Sequence, residues 1–304
     1  MTRRTKQNTP VISLEGVRKS YGDFELGHVN LRIEPGQIVA VVGPNGSGKS
    51  SLLQMLMNLI KPSSGEVRLF GCSYPDGEVR IKRRIGYVPE SSVGYHDMNA
   101  RELGDFVSHW YPGWDQSLYT DLLGRLELDR YKQFGRLSKG MRRRLSFALA
   151  LASCPELLLL DEPASGVDPF AREQMLDEIS RFVESGAHEG GARTVVFATH
   201  QVEDVTEIAD HVLLLADGEF LGLHEQDSLL DGWKAFYVEG EPQGEIPGIV
   251  SDDGGNPARL LSDSPWETAE ALSARNIRVI GEGSVKLKEV LSHLVRRSRA
   301  RRVA

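Results

Sequence analysis

The sequence predicts an α/β fold with a mainly parallel sheet, followed by a small α/β appendage. From Val11 to about Gly222, short apolar segments alternate with stretches of helical periodicity, and these segments read QIVAVVG, LLLLD, TVVFATH and HVLLLADG. After about Trp233 the composition shifts to Gly, Pro, Ser and Asp, which marks a separate region. We therefore expect a flexible tail over 1–10, a first domain over 11–232 and an appendage over 233–304.

Composition and charge exclude several classes of protein. The chain has 304 residues, of which 40% are hydrophobic, enough for a globular core. Its formal net charge of −7 argues against a general nucleic-acid binder, which needs a broad cationic surface, so no nucleic acid is expected as a partner. Residues 1–10 are basic but lack a following apolar segment, which indicates a loose tail rather than a secretory signal.

Two further features concern the compartment. Cys72 and Cys154 are too few for a disulfide scaffold, so we expect small buried side chains in a reducing cytosol. The most apolar run, FALALASCPELLLL, is interrupted by Pro155 and Glu156 and falls short of the roughly 18 residues that a membrane helix needs. The chain is therefore not expected to span a membrane.

The segment GPNGSGKS has the spacing G-x-x-x-x-G-K-[ST] of a phosphate-binding loop. A hydrophobic strand precedes it and SLLQMLMNLI follows as a helix, which is the context that this loop requires. Backbone N–H groups of such a loop close around phosphates, Lys49 can neutralise the β- and γ-phosphates, and the Ser50 hydroxyl can ligate Mg²⁺. The expected nucleotide-binding residues of the loop are Gly43, Asn45, Gly46, Ser47, Gly48, Lys49, Ser50 and Ser51.

A helical subdomain is expected over about 96–155. It contains FVSHWYPGWD, an aromatic cluster that is interpreted as local core or as a contact for a partner. Its last helix begins at LSKGMRRRL, with Ser138 as N-cap and basic side chains in the first turn. The positive end of the helix dipole disfavours such cations by about 0.3 to 1 kcal/mol each unless an anion is near. We expect an anion at this turn, or, for the arginine run alone, a solvated face.

The segment LLLLDEP supplies carboxylates beside the phosphate loop. Four leucines predict a buried strand, each worth about 2 kcal/mol on burial, with Asp161 and Glu162 at its carboxyl end. Asp161 is expected to face the metal. Glu162 is expected to orient and deprotonate the attacking water, a role worth about 10² to 10⁴ in rate.

The appendage is expected to hold short strands and two helices, the latter in ETAEALSARNIRVIG and SVKLKEVLSHLVRR. It ends in the basic tail RRSRARR. Two interpretations of the tail stay open: a solvated charge cluster, or attraction to anionic lipid head groups.

With these motifs in this order, residues Val11 to Gly222 resemble the nucleotide-binding subunits of ABC transporters. The resemblance implies a P-loop NTPase fold of ABC type, with an antiparallel β portion beside the parallel sheet, and ATP with Mg²⁺ as ligands. It implies that Tyr21 in KSYGD stacks on adenine and that GYVPE couples the metal to a membrane partner through Glu90. In ATH, His200 would be the switch at the γ-phosphate.

In this family two nucleotide domains pair head to tail. The resemblance therefore implies that LSKGM is the signature motif and that its helix faces the ATP held by the other chain. The expected opposite-chain contacts are Ser138, Gly140 and Asp168, the last in the crossing loop SGVD. The anion missing from the first turn would be the γ-phosphate of the partner's ATP.

The sequence departs from the common family pattern at three positions. The usual signature is L-S-G-G-Q, and Lys139 and Met141 stand at two of its positions; Glu90 stands where glutamine is usual. A carboxylate can ligate Mg²⁺ at least as well as an amide, but it adds negative charge near ATP. The sequence resembles bacterial ABC subunits that export antibiotics or peptides in three features: these variants, the YPGWD segment and the short appendage.

The predicted function is an ATP-hydrolysing subunit that drives a separately encoded membrane permease, most similar to exporters. Its partners would be a second ABC subunit, identical or different, and the permease, which would hold it at the inner face of the cell membrane in the cytoplasm. One alternative is a soluble ABC protein of translation or DNA repair, although a second nucleotide domain and a long coiled-coil insertion are both missing. A P-loop kinase or GTPase is another, but no N-K-x-D motif is found.

Overall fold

The computed structural model describes residues 9–91, 95–188, 191–240 and 244–303, apart from the side chains of 187–188 and 302–303. The chain forms two compact units, Met1–Leu223 and His224–Ala304. This division lies nine residues before the expected start of the appendage at 233. Most of the expected tail over 1–10, up to residue 8, lies outside the described residues.

One ten-stranded sheet organises the first unit, in the order β5-β4-β1-β2-β10-β9-β3-β8-β7-β6. Its strands are β1 (Ile12–Tyr21), β2 (Phe24–Ile33), β3 (Ile38–Val42), β4 (Ser64–Leu69), β5 (Cys72–Ser73), β6 (Ile85–Val88), β7 (Leu157–Asp161), β8 (Thr194–Thr199), β9 (His211–Ala216) and β10 (Glu219–Glu225). The neighbours β6, β7, β8, β3 and β9 pair in parallel. Strands β2, β1, β4 and β5 pair antiparallel. The parallel sheet with an antiparallel portion is therefore confirmed.

The parallel strands are apolar because both of their faces are covered. Every residue of β3, β7 and β8 is buried, including the four leucines of β7. In register, Val42 pairs with Thr199, and Asp161 pairs with Ala198. The carboxyl ends of β3, β7 and β8 therefore meet at one edge of the sheet, where each strand is followed by a polar motif.

Seven α-helices surround this sheet within the described part of the first unit. They are α1 (Lys49–Leu56), α2 (Glu78–Lys82), α3 (Ala100–Ser108), α4 (Gln116–Arg125), α5 (Lys139–Ala152), α6 (Pro169–His188) and α7 (Val202–Ile208), with a 3-10 turn at Phe134–Arg136. Helices α3 to α5 form the region expected to be helical. Helix α3 begins with a capping box of Asn99 and Glu102. Helix α1 begins two residues before SLLQMLMNLI, because the phosphate loop itself opens it.

The second unit has a four-stranded sheet in the order β12-β13-β11-β14, antiparallel throughout. Its elements are α8 (Gln226–Asp231), β11 (Lys234–Val238), β12 (Ile249–Asp252), β13 (Ala258–Ser262), α9 (Pro265–Ala274), β14 (Val279–Gly283) and α10 (Leu287–Val303). Along β11, Phe236 packs in one cluster with Leu272 of α9, and Ala235 packs in another with Val290 of α10. The sheet therefore carries a helix on each face, and the basic tail belongs to α10.

Candidate functional site

The loop between β3 and α1 requires glycine at several positions, for reasons of space or of backbone conformation. A Cβ atom on Gly43 would lie 2.1 Å from the carbonyl oxygen of Leu215. Gly46 and Gly48 have φ angles of 79° and 103°, in the left-handed region. Gly48 directly precedes α1, so its backbone turns the loop into the start of the helix. The motif thus forms a loop whose backbone N–H groups and helix N-terminus suit phosphate.

Lys49 is the buried cation of this loop. Its Nζ atom donates to the carbonyl oxygens of Gly43 and Pro44, at 2.8 and 3.1 Å, and lies 3.9 Å from Oε1 of Glu162. Burial lowers the pKa of Lys49, and the nearby carboxylates oppose that shift. The Ser47 hydroxyl is also buried, and no described residue bonds to it. A buried ammonium and an unpaired hydroxyl at one loop suit an anionic ligand rich in oxygen atoms.

Asp161 and Ser50 meet beside the loop, as the sequence predicts. The Ser50 hydroxyl donates to Oδ1 of Asp161 at 3.0 Å. Burial raises the pKa of Asp161, with the charges of Glu90 and Glu162 adding to the rise and the Ser50 hydrogen bond opposing it. A divalent cation would relieve this crowding of negative charge. The Asp161 and Ser50 oxygens therefore fit the oxygen-only donor set that Mg²⁺ prefers.

Glu162 lies between Lys49 and His200. Its Oε2 atom is 2.7 Å from Nδ1 of His200, and its backbone N–H donates to the carbonyl oxygen of Ala198 at 2.9 Å. The φ angle of Glu162 is 52°, a conformation uncommon outside glycine. Such backbone persists where surrounding contacts hold it, often at functional sites. The carboxylate is thus oriented from two sides, by a lysine and a histidine.

A cavity of about 780 Å³ brings most of these residues together. Tyr21, the loop and Glu90 surround it with Glu162 and His200. Two residues that the sequence analysis missed, Phe24 and Ser165, also line it. Tyr21 is 42% exposed and stacks against Phe24, with ring centroids 6.5 Å apart and planes 30° apart. An exposed, supported ring at the mouth of a phosphate cavity suits a nucleobase.

Ser138, Gly140 and Asp168 lie apart from that cavity. The Ser138 hydroxyl caps α5 by accepting from Met141 N at 3.2 Å, and Asp168 caps α6 by accepting from Ala171 N at 3.0 Å. A Cβ on Gly140 would lie 2.9 Å from the carbonyl oxygen of Gly166, so the signature turn packs on the crossing loop. Ser138 and Asp168 are exposed. Ser138, Gly140 and Asp168 form a second surface, the signature surface, which is separate from the phosphate cavity of the same chain.

Comparison with known proteins agrees with this geometry. The family model described as ABC transporter matches residues 26–165. A bacitracin transport ATP-binding protein of Bacillus licheniformis is 33% identical over 69% of this chain and 68% of its own. A Nod factor export ATP-binding protein of Cupriavidus metallidurans is 30% identical over 73% of this chain and 74% of its own. The chain belongs to the ABC transporter ATP-binding family.

A solved structure extends the comparison. A dimeric post-hydrolysis state of an ATP-binding cassette bound to ADP and Pi superposes with a TM-score of 0.61 and 27% identity, over 70% of this chain and 98% of that one. The predicted fold, the assignment as an ABC transporter ATP-binding subunit and the ATPase activity are thereby confirmed, and the soluble translation or repair alternative is not favoured. Among the described residues, no helix is long and apolar enough to cross a membrane.

The arginine run of this ABC subunit was wrongly expected to be solvated. Arg143 is 1% exposed and donates to the carbonyl oxygens of Asp161, Glu162 and Glu90. Arg142 and Arg144 are half-buried and also donate to main-chain carbonyls. Carbonyl oxygens accept from terminal nitrogens of all three guanidinium groups, although the Nε atoms of Arg143 and Arg144 are buried without a described partner.

A second cavity of the ABC subunit, of about 760 Å³, lies between its helical region and its sheet. Tyr87 and Pro89 of GYVPE line it, with Val79 of α2 and Trp110 and Tyr111 of the aromatic cluster. Val79 and Trp110 are 66% and 65% exposed. Trp110 is therefore no part of a local core, whereas Trp114 contacts the buried Tyr119, with ring centroids 5.1 Å apart.

Proposed function

We propose that this ABC ATPase hydrolyses ATP in a sandwich of two chains, with Glu162 as the general base. The observation that carries the proposal is the position of Glu162 at the phosphate cavity, 2.7 Å from His200 and 3.9 Å from Lys49. In this arrangement Lys49 and the loop bind the β- and γ-phosphates. Glu162 accepts a proton from the attacking water, and His200 holds the Glu162 carboxylate in position.

The proposed metal is Mg²⁺, held by Ser50 and Asp161. When bound, it would neutralise charge on the phosphate oxygens and polarise them. Asp161 supports this role because it is buried with a raised pKa and shares a hydrogen bond with the Ser50 hydroxyl. Glu90 lines the same cavity and is proposed as a further ligand. Tyr21, supported by Phe24, is proposed to stack on adenine.

The second chain is proposed to complete each nucleotide site. Ser138 and Asp168 are exposed and, with the half-buried Gly140, lie away from the cavity, so they can contact ATP bound by another copy or a related subunit. The relative bound to ADP and Pi is described as dimeric, which supports this arrangement.

We also propose that the apolar cavity beside GYVPE receives a segment of the permease. Val79 and Trp110 expose large apolar side chains there, and Pro89 connects this cavity to Glu90 at the nucleotide. A permease would hold the subunit at the inner face of the cell membrane, in the cytoplasm. The relative named for Nod factor export supports export as the direction of transport.

The decisive test is Glu162→Gln. We expect the variant to bind ATP and to lose about 10² to 10⁴ in kcat, because the amide cannot accept the proton. Steady-state phosphate release and binding of a fluorescent ATP analogue would measure the two effects. Glu156→Gln is the matched control: Glu156 pairs with Arg84 at the surface and should leave kcat unchanged. Unaltered turnover in Glu162→Gln would remove Glu162 from the role of base.

A further inference from the structure

Arg143 connects two chain segments that carry three carboxylates of the site. One of its terminal nitrogens donates to the carbonyl oxygens of Asp161 and Glu162, at the end of β7, and the other donates to that of Glu90, after β6. Strands β6 and β7 are parallel neighbours, with Val88 opposite Leu160, so their carboxyl ends lie side by side. A planar guanidinium with donors in a fixed fork can bridge two such strand ends; a single point charge cannot.

The charge of Arg143 also balances an acidic site. Burial lowers the pKa of Arg143 below its ordinary value, and the charges of Glu90, Asp161 and Glu162 oppose that shift. Lys49 is also a buried cation near these three carboxylates, and it is held by its own loop. Arg143 is 1% exposed, so solvent screens its charge little. Any cation bound by Asp161 therefore experiences a fixed positive charge from behind the strand ends.

We propose that Arg143 is a positioning residue that holds the Glu90 and Glu162 segments in register and weakens Mg²⁺ binding at Asp161 by its charge. It acts through the main chain, because it donates to the carbonyl oxygens of Asp161, Glu162 and Glu90. The inference rests on the proposed roles of Glu90, Asp161 and Glu162. It also gives the acidic residue at position 90 an intrachain counter-charge.

Three variants separate the geometric effect of Arg143 from its electrostatic effect. Arg143→Gln removes both the charge and the forked donors, so kcat should fall by about tenfold or more. Mg²⁺ should bind more tightly in this variant. The Mg²⁺ concentration that gives half-maximal binding in the presence of a fluorescent ATP analogue should therefore fall severalfold. Arg143→Lys keeps the charge, so kcat should fall while that Mg²⁺ concentration stays unchanged. Glu90→Gln combined with Arg143→Gln restores the charge balance and should return the Mg²⁺ concentration towards that of the wild type.

Loss of packing alone would not give this pattern, and Leu145→Ala tests that directly. Leu145 is fully buried on the same helix, and its truncation should lower the thermal midpoint without changing Mg²⁺ dependence. The charge effect is overturned if Arg143→Gln leaves the half-saturating Mg²⁺ concentration unchanged or raises it. The positioning effect is overturned if Arg143→Lys retains wild-type kcat. Glu162→Gln, measured alongside, shows whether the proposed base has failed instead.

Discussion

The phosphate cavity and the signature surface of the same unit differ in how complete they are. At the cavity, Glu162 already contacts both Lys49 and His200, and Ser50 already bonds to Asp161. At the signature surface, Ser138 and Asp168 bond only to the helices that they cap among the contacts described, and both are exposed. The cavity is built by one chain, whereas the signature surface is proposed to meet its ligand on another chain.

The largest effect is expected from mixing two inactive chains. This experiment tests directly whether the cavity of one chain and the signature surface of another form one site. Ser138→Arg places a bulky side chain where the partner's triphosphate would lie, and Lys49→Ala removes the buried cation, so each pure variant should lose about 100-fold or more in turnover. In a mixed dimer, the cavity of the Ser138→Arg chain meets the intact signature of the Lys49→Ala chain. Phosphate release should therefore reappear on mixing.

The control for this experiment is Ser138→Asn, which keeps an N-cap acceptor and should leave α5 folded. Equal thermal midpoints for Ser138→Arg and Ser138→Asn would show that the loss of turnover is not unfolding. If each chain completed its own site, mixing would restore nothing. Full turnover in Ser138→Arg alone would also rule out the two-chain site.

The cavity was predictable from sequence because its residues occur in contiguous motifs. GPNGSGKS contains its own backbone geometry, and LLLLDEP contains both a buried strand and the two carboxylates at its end. The pairing of β3 with β8 and of β8 with β7 then brings the ends of these motifs together. Local pattern and parallel pairing are sufficient for Lys49, Ser50, Asp161 and Glu162.

Arg143 could not be interpreted in the same way. Its acceptors at Asp161 and Glu90 lie 18 and 53 residues away along the chain, and they are main-chain oxygens, which every residue possesses. Periodicity gave a weak signal, since Arg143 lies four residues before the buried Phe147, on the apolar face of α5. Phe24 and the exposure of Trp110 likewise depend on tertiary packing. In the sequence alone, a buried arginine within a cationic run looks the same as a solvated one.

The second prediction concerns the stability contributed by an ion pair that links the two regions. Arg172 of α6, after the crossing loop, pairs with the buried Asp204 of α7, after His200, at 2.5 Å. Arg172→Met leaves that carboxylate without its partner and should cost about 3 kcal/mol in the free energy of unfolding at neutral pH. Urea unfolding would measure the loss, and Arg172→Met with Asp204→Asn should recover much of it.

The pH dependence of that loss is determined by the raised pKa of Asp204. Burial raises this pKa above its ordinary value of 3.8, and Arg172 opposes the rise. Without Arg172 the pKa should rise further, so the folded state would bind the proton more tightly than the unfolded state. Stability of Arg172→Met should therefore decrease as pH rises from about 4 to 7. A pH-independent loss would show that the ion pair is not its cause.

A smaller effect is expected at the mouth of the cavity. Tyr21→Ala removes the ring that stacks on Phe24 and should raise KM for ATP about tenfold. The kcat should change little, because stacking on the base is lost equally in the ground state and the transition state. Tyr21→Trp retains an aromatic face and should bind ATP normally. Tyr131, 62% exposed and not among the residues that line the cavity, supplies the control Tyr131→Ala. An unchanged KM in Tyr21→Ala would exclude stacking on adenine.

The smallest effect concerns the signature surface and its acid sensitivity. The hydrogen bond from the Ala171 N–H holds the pKa of Asp168 below its ordinary value of 3.8. The ionised carboxylate therefore stabilises the folded state above pH 3.8, and this stabilisation is lost as the pH falls through the pKa of the folded state. Asp168→Asn keeps an oxygen acceptor at every pH. The urea midpoints of Asp168→Asn and the wild type should agree at pH 7. By about pH 3 the midpoint of the wild type should have fallen further than that of the variant. A parallel decline of both would mean that the Asp168 charge contributes nothing to the cap, and that its exposed carboxylate is free to serve the partner chain alone.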